Sequence, residues 1–204
     1  MTYDLTGKKL SYFIDFITKE HSEPFSITYW VEDIDLNDIL SRFKPSPFLK
    51  ECYITHCYKP IDNRFKSLPL GVKFHAKDII GDFHYAGEKK LLLICHSENT
   101  NPQRKLFPEW CKNLPWVTYQ YNTSPEHYFI LLQQHHYMVC PRGYSIDTYR
   151  WSEALESGCI PITDNDYYDQ FPEIAGKYLK VDDFFSITED FLLEKLKYFK
   201  FTNK

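Results

Sequence analysis

Residues 137–164 read YMVCPRGYSIDTYRWSEALESGCIPITD, and this segment decides the fold. Its first four residues, Tyr137-Met-Val-Cys140, are apolar and stop at Pro141. After Gly158 the run Cys159-Ile-Pro-Ile-Thr163 is apolar again. Short apolar runs bounded by Gly and Pro are strands, and the stretch between them must carry the chain across. A parallel βαβ unit meets that requirement. In such a unit the turn at the carboxyl end of the first strand borders a ligand crevice, and the helix that follows offers unpaired backbone N–H groups to an anion. The segment therefore predicts a phosphate-bearing ligand.

The same alternation extends upstream. Residues 91–95 and 116–121 read as strands, residues 97–102 as a loop, and helices are predicted from Gln103 and from Pro125. Ser124-Pro-Glu126 supplies an N-cap, a first-turn proline and a first-turn carboxylate to the second of these helices. Downstream, residues 176–181 form a last strand and residues 188–199 a closing amphipathic helix. Strands alternating with helices imply a parallel sheet covered by helices. The first third of the chain is a smaller αβαββ layer, with helices at residues 9–19 and 35–43 and strands at 25–31, 52–56 and 67–72. Residues 71–87 carry a weaker pattern and read as the connection. The expected organisation is an α/β chain with a short N-terminal α/β lobe, residues 1–80, and a Rossmann-like C-terminal lobe, residues 81–204.

Bulk properties narrow the function classes. A chain of 204 residues, 43% hydrophobic and 18% aromatic, can build a true core. Its net charge of −4 opposes wholesale attraction to nucleic acid or to an anionic membrane, so recognition of phosphate must be local. Cys52, Cys57, Cys95, Cys111, Cys140 and Cys159 are scattered through a chain large enough to fold without staples, and they read as buried free thiols. No apolar run reaches the length of a membrane span, and residues 1–24 lack the apolar stretch of a secretory signal. The expectation is a soluble, cytoplasmic protein with no membrane span and no nucleic-acid partner.

On the helix after Arg142-Gly143, Arg150, Glu153 and Ser157 share a polar stripe beside apolar Trp151, Ala154 and Leu155. A solvated Arg–Glu pair there contributes only about 0.2–0.5 kcal/mol. Proximity to the crevice end of the sheet is the competing explanation for the same residues.

Cys140-Pro-Arg-Gly143, Tyr149-Arg150, Glu153-Ala-Leu155 and Gly158-Cys-Ile-Pro161, in that order, resemble the donor-binding signature of the exostosin family of glycosyltransferases. Leu68-Pro-Leu-Gly71 and residues 91–104 resemble, more weakly, the entry to the nucleotide-binding half of two-lobed glycosyltransferases. The resemblance implies a GT-B arrangement that transfers a sugar from a nucleotide diphosphate sugar, a UDP-sugar, to a saccharide or glycan acceptor. It implies no metal and no cofactor beyond the donor. Arg104, Arg142 and Arg150 would neutralise the departing diphosphate. Gly143 would admit the ligand close to the backbone, Ser145 would join the donor site, and Glu153 would accept from the ribose hydroxyls. A general base from the first lobe would come from among His56, Asp62, Asp33 and Asp35, of which His56 and Asp62 are the expected pair.

The chain departs from that family directly after Arg-Gly, where Tyr144-Ser-Ile-Asp147 replaces an acidic or glycine-rich stretch, and its first lobe is shorter. The short lobe is either pared down, or completed by another chain in an oligomer, or the mark of lost activity. Two alternatives stay open: a non-catalytic nucleotide-sugar-binding or assembly subunit, and a metal-dependent transferase using Asp164 and Asp166. Cys52, His56 and Cys57 lack a second ligand pair of zinc spacing. His135 and His136, read on a helix, point apart; His96, at a strand end near the crevice, could approach the ligand, though a satisfied structural histidine is the first reading.

Overall fold

The protein was analysed as a computed structural model that describes residues 1–30, 40–58 and 62–202, with side chains to residue 199. It is an α/β chain with two parallel sheets and two compact units. One unit comprises Met1–Leu70 together with Tyr144–Asp147; the other comprises Gly71–Gly143 and Thr148–Lys204.

In the first unit, strands β1 (Thr2–Asp4), β2 (Phe25–Tyr29), β3 (Leu49–Thr55) and β4 (Phe65–Leu68) lie in sequential order, all parallel. Helix α1 (Leu10–Thr18) buries Phe13, Ile14, Phe16 and Ile17, the face its spacing predicts. Phe13 stacks on Tyr29 of β2 at 4.2 Å and 5°. Along β2, Phe25, Ile27 and Tyr29 are buried while Ser26 and Thr28 are half-buried, the period-two signature of a strand. The helix expected over residues 35–43 falls mostly outside the described residues. Strand β1 has no counterpart in the sequence expectations, being only three residues long. The strands expected at 52–56 and 67–72 both begin earlier, at Leu49 and Phe65.

The second unit opens with a short helix, α2 (Ala76–Ile80), inside the stretch read as connection. Its sheet is ordered β6-β5-β7-β8-β9, from β5 (Lys90–Cys95), β6 (Val117–Gln120), β7 (His135–Val139), β8 (Ile160–Thr163) and β9 (Leu179–Lys180), again all parallel. Helices α3 (Phe107–Cys111), α4 (Pro125–Gln133), α5 (Tyr149–Glu156) and α6 (Glu189–Thr202) complete it. The chain steps from β5 outward to β6, then back past β5 to β7 and on to β8 and β9. With right-handed crossovers, that reversal sends helices to both faces. Accordingly Phe107 of α3 and Leu192 and Leu196 of α6 share a cluster with Leu92, Ile94, Tyr137, Val139 and Ile162. On the opposite face the Tyr128 hydroxyl of α4 reaches Met138 Sδ at 3.6 Å. Strand β5, LLLIC after Lys90, is buried at every one of those positions.

Several expectations require correction. His135 and His136 open strand β7 and are not on a helix. The fully buried His135 ring meets Leu131 O at 2.7 Å and Thr118 Oγ1 at 2.8 Å, so it ties the end of α4 to β6. The helix from Gln103 is a 3-10 turn, Pro102–Leu106, followed by the short α3. Helix α5 begins at Tyr149, not directly after Gly143, because Tyr144–Asp147 cluster with the first unit. There the Leu70 N–H donates to Asp147 Oδ2 at 2.6 Å. All six cysteines are free and buried. Among the described residues no helix is long and apolar enough to cross a membrane.

Candidate functional site

The reversal in strand order sets β5 and β7 side by side while the chain leaves their carboxyl ends in opposite directions. A parallel sheet opens a ligand crevice at such a switch point. The residues that follow the two strands there are His96 with residues 97–101, and Cys140-Pro-Arg-Gly143.

Arg104 staples these two loops together. Asn101 starts the 3-10 turn that carries it, accepting the Gln103 N–H on Oδ1 at 2.9 Å. The Arg104 side chain is buried; its Nε donates to Arg142 O at 3.0 Å, Nη2 to Pro141 O at 2.7 Å and Nη1 to Ser97 O at 3.3 Å. Hydrogen bonds from a charged donor contribute about 1.5–3 kcal/mol each. The guanidinium therefore fixes the Arg142-Gly143 turn from behind, and Asn101 Nδ2 adds a bond to Gly143 O at 3.4 Å. A Cβ on Gly143 would stand 3.5 Å from Arg104 Nη2 and 3.9 Å from Thr100 Oγ1, ordinary contact distances, and its φ is not positive. The Arg142 side chain, by contrast, is exposed.

Arg150, in the first turn of α5, donates Nε–H to Cys95 O at 2.9 Å. Its terminal nitrogens make no hydrogen bond among the described residues, so the group is anchored at one end and open at the other. Glu153, one turn on, is buried rather than part of a solvated stripe, and it forms no ion pair with Arg150 among the described residues. Its Oε1 accepts the Lys73 N–H at 3.3 Å. Burial raises its pKa above the usual carboxylate value; the Tyr128 hydroxyl, the Lys73 and Phe74 amides and the Arg150 charge act the other way.

His96 is 2% exposed, edge-on to Phe107 at 5.2 Å and to Tyr119 at 6.4 Å. Burial and then the Arg104 and Arg150 charges push its pKa down to about 3; the carbonyls of His96 and Ser97 oppose this without reaching hydrogen-bonding geometry. Neither ring nitrogen has a hydrogen-bond partner among the described residues, and Thr100 Oγ1 has none either. A buried polar atom left unpaired costs about 1–3 kcal/mol. The sequence places His96 at a strand end near the crevice, within reach of a ligand, with a satisfied structural histidine as the first reading.

The remaining expected residues lie in the first unit. His56 ends β3 in the left-handed region, φ 56°, and is 1% exposed. The Asp62 carboxylate is chelated by Arg64, whose Nε lies 2.9 and 3.0 Å from its two oxygens and whose Nη2 also donates to it. That pairing holds the Asp62 pKa below the usual carboxylate range. Arg64 Nη1 also donates to Ser46 O at 3.0 Å, so the pair braces a turn. Ser145 is buried in the same unit, and its Oγ has no hydrogen-bond partner among the described residues. Asp33 and Asp35 fall outside the described residues. The structure thus gathers Arg104, Arg142, Gly143 and Arg150 at one sheet edge with Glu153 behind them; His56, Asp62 and Ser145 belong to the other unit.

Asp164 Oδ2 accepts from Gln103 Nε2 at 3.0 Å, and Asn165 shapes the turn by accepting the Tyr167 N–H at 3.1 Å. Among the described residues no group of three His, Cys, Asp or Glu side chains is placed to hold a metal ion.

Much of the signature quoted above has a packing reason. Gly158, φ 69°, closes α5: its N–H donates to Leu155 O at 3.1 Å and the Cys159 N–H to Ala154 O at 2.9 Å. This is a Schellman termination, which favours glycine. Ala154 and Cys159 are buried, and Pro141 offers its carbonyl to Arg104. Arg142 and the outer half of Arg150 are what packing leaves unexplained.

No family model matches this chain, and no curated protein does. Among solved structures the chain is similar to one described as the crystal structure of the GtfA/B complex, with 7% identity and a TM-score of 0.37, over 95% of this chain and 53% of that one. The chain therefore spans about half the length of that neighbour. At that level of likeness the fold class rests on the parallel strand order itself, and any resemblance to the exostosin family rests on residues 140–161.

Proposed function

We propose that the second unit binds a nucleotide diphosphate sugar at the β5/β7 edge and that the protein is a glycosyltransferase acting on a saccharide acceptor. The observation that carries this reading is the Arg142-Gly143 turn, pinned by Arg104 at a topological switch point, with the open end of Arg150 beside it. In the reaction the acceptor oxygen bonds to the anomeric carbon as the bond from that carbon to the diphosphate breaks. The bonding pair leaves with the nucleotide, and the acceptor hydroxyl's proton passes to an oxygen of the departing diphosphate. The developing charge on the leaving diphosphate falls to Arg142, carried on a turn whose backbone Arg104 holds, and to Arg150, anchored through its Nε. Arg104 acts through the loop it holds. UDP is the nucleotide to test first, following the exostosin resemblance.

The test measures UDP release from UDP-sugars with a panel of saccharide acceptors, and UDP-dependent stabilisation of the fold, for wild type, Arg142→Ala and Arg150→Ala. Ligand at 100 times its Kd should stabilise the native state by about 2.7 kcal/mol. Turnover that survives undiminished in both variants removes the proposed site.

A second reading, a nucleotide-sugar-binding subunit without turnover, is favoured by one observation. Of the two expected bases, Asp62 is chelated by Arg64 and held ionised with little basicity, and His56 is buried. UDP binding with no release across the acceptor panel selects this reading.

A further inference from the structure

The described residues include further buried polar atoms without partners, such as Trp151 Nε1, Ser157 Oγ and Gln170 Nε2. His96 and Thr100 differ from these in position. Both sit in the loop that Arg104 ties to the Arg142-Gly143 turn, directly beyond the end of β5 at the switch point. The Thr100 hydroxyl lies 3.9 Å from where a Cβ on Gly143 would be, and Arg104 and Arg150 both act on the His96 ring through their charge. Two unpaired groups, each able to donate, thus stand beside two guanidinium groups, one of which has its terminal nitrogens uncommitted.

We infer that His96 and Thr100 are ligand-contacting residues: the imidazole N–H and the threonine hydroxyl donate to oxygens of a phosphoryl group that the terminal nitrogens of Arg150 hold. This rests on the reading of the edge as a nucleotide-diphosphate site and assigns it two residues that the sequence signature does not contain. The chemistry selects an acceptor-only, oxygen-rich anion. A cation is disfavoured by the guanidinium groups, and an apolar group would leave the imidazole and the hydroxyl as unsatisfied as before. A neutral imidazole has one N–H to give and keeps its second nitrogen as an acceptor, so it orients a phosphoryl oxygen without adding a third positive charge. Its aromatic neighbours Phe107 and Tyr119 hold the ring in place.

The experiment uses the full chain with His96→Phe, which keeps the ring packing, and Thr100→Val, which keeps the shape. Affinities for UDP and for inorganic pyrophosphate are measured by calorimetry beside the melting temperature. The expected result is a melting temperature that holds or rises in both variants, with affinity for both ligands falling about tenfold in His96→Phe and about threefold or more in Thr100→Val, the range of one lost hydrogen bond. Unchanged affinity in both variants overturns the inference while leaving the nucleotide-site reading intact. Pyrophosphate binding that is lost in His96→Phe, with UDP bound no better than pyrophosphate, supports the phosphoryl seat and removes the nucleotide reading. Absence of binding by the wild type to either ligand removes both. Should a variant fail to fold, the imidazole nitrogen resonances of wild-type His96 decide: a shift on adding pyrophosphate supports the contact, and unmoved resonances overturn it.

Discussion

Both sheets are parallel, yet only one reverses its strand order, and the polar chemistry follows the reversal. In the first unit the strands lie in sequence order, β1-β2-β3-β4, with no reversal among the described strands. Its strand β2 is buried on alternate positions. In the second unit the order β6-β5-β7-β8-β9 places helices on both faces, and β5 is buried at each position after Lys90. The use of arginine differs in the same way. Arg64 is about a quarter exposed and braces a local turn through Asp62, two residues away, whereas Arg104 is buried and joins segments nearly forty residues apart. Topology, more than composition, decides whether a guanidinium joins distant loops or braces a local turn.

That contrast can be broken most directly at the two arginine clamps. Arg104→Met should leave the carbonyls of Ser97, Pro141 and Arg142 without their charged donor and destabilise the protein by about 3 kcal/mol in urea unfolding. Asp62→Asn should cost well under half of that, because both members of its pair are solvent-screened. Equal effects would show that the switch-point loops are held by something other than Arg104. Arg142→Ala should reduce UDP affinity about tenfold and change stability by no more than about 0.5 kcal/mol, as for an exposed side chain.

Two pH dependences sharpen the comparison, since both groups belong to the second unit. His96 has a folded pKa of about 3 against about 6.5 unfolded, so its contribution is present above pH 6.5 and is lost as pH falls from there toward 3. Thermal unfolding across that window should therefore decline less steeply in His96→Phe than in wild type. Glu153 has its pKa raised, so the stability linked to it is full below its ordinary value of about 4.5 and falls as pH rises through the folded value. Glu153→Gln, which keeps an acceptor for the Lys73 amide, should melt higher than wild type at pH 7 and alike at pH 4. A lower melting point at pH 7 would mean that the carboxylate charge itself is needed. The smallest expected effect is that of Gly143→Ala, within about 0.5 kcal/mol in stability, because the added Cβ meets only ordinary contacts. Loss of UDP binding in that variant with stability intact would identify Gly143 as a point of close ligand approach.

Legibility varied with the range of the interaction. The apolar spacing of Phe13, Ile14 and Ile17, the Ser124 cap whose Oγ accepts the His127 N–H at 3.2 Å, and the strand–helix–strand unit around Trp151 were all readable. Each depends on residues close in sequence. The role of Arg150 was half readable: its place in the first turn of a helix after β7 was expected, while the anchor on Cys95 O lies fifty-five residues away. The polar stripe misled at Glu153, because periodicity marks a face of the helix and not what covers it. Here the amides of residues 73–74 and Tyr128 of α4 do so.

The sequence by itself determined most of the longer elements, the parallel alternation of the second unit and the burial of the thiols, since each is set by periodicity or composition; the short β1, the helix at Ala76–Ile80 and the strand opened by His135 escaped it. Tertiary structure alone decided the strand order, the assignment of Tyr144–Asp147 to the first unit, the capture of Arg104 by three carbonyls and the isolation of the His96 ring. Those depend on which distant segments meet. A neighbour brought close by folding leaves no period or spacing in the chain, yet it settles whether a charge is spent on the backbone or left for a ligand.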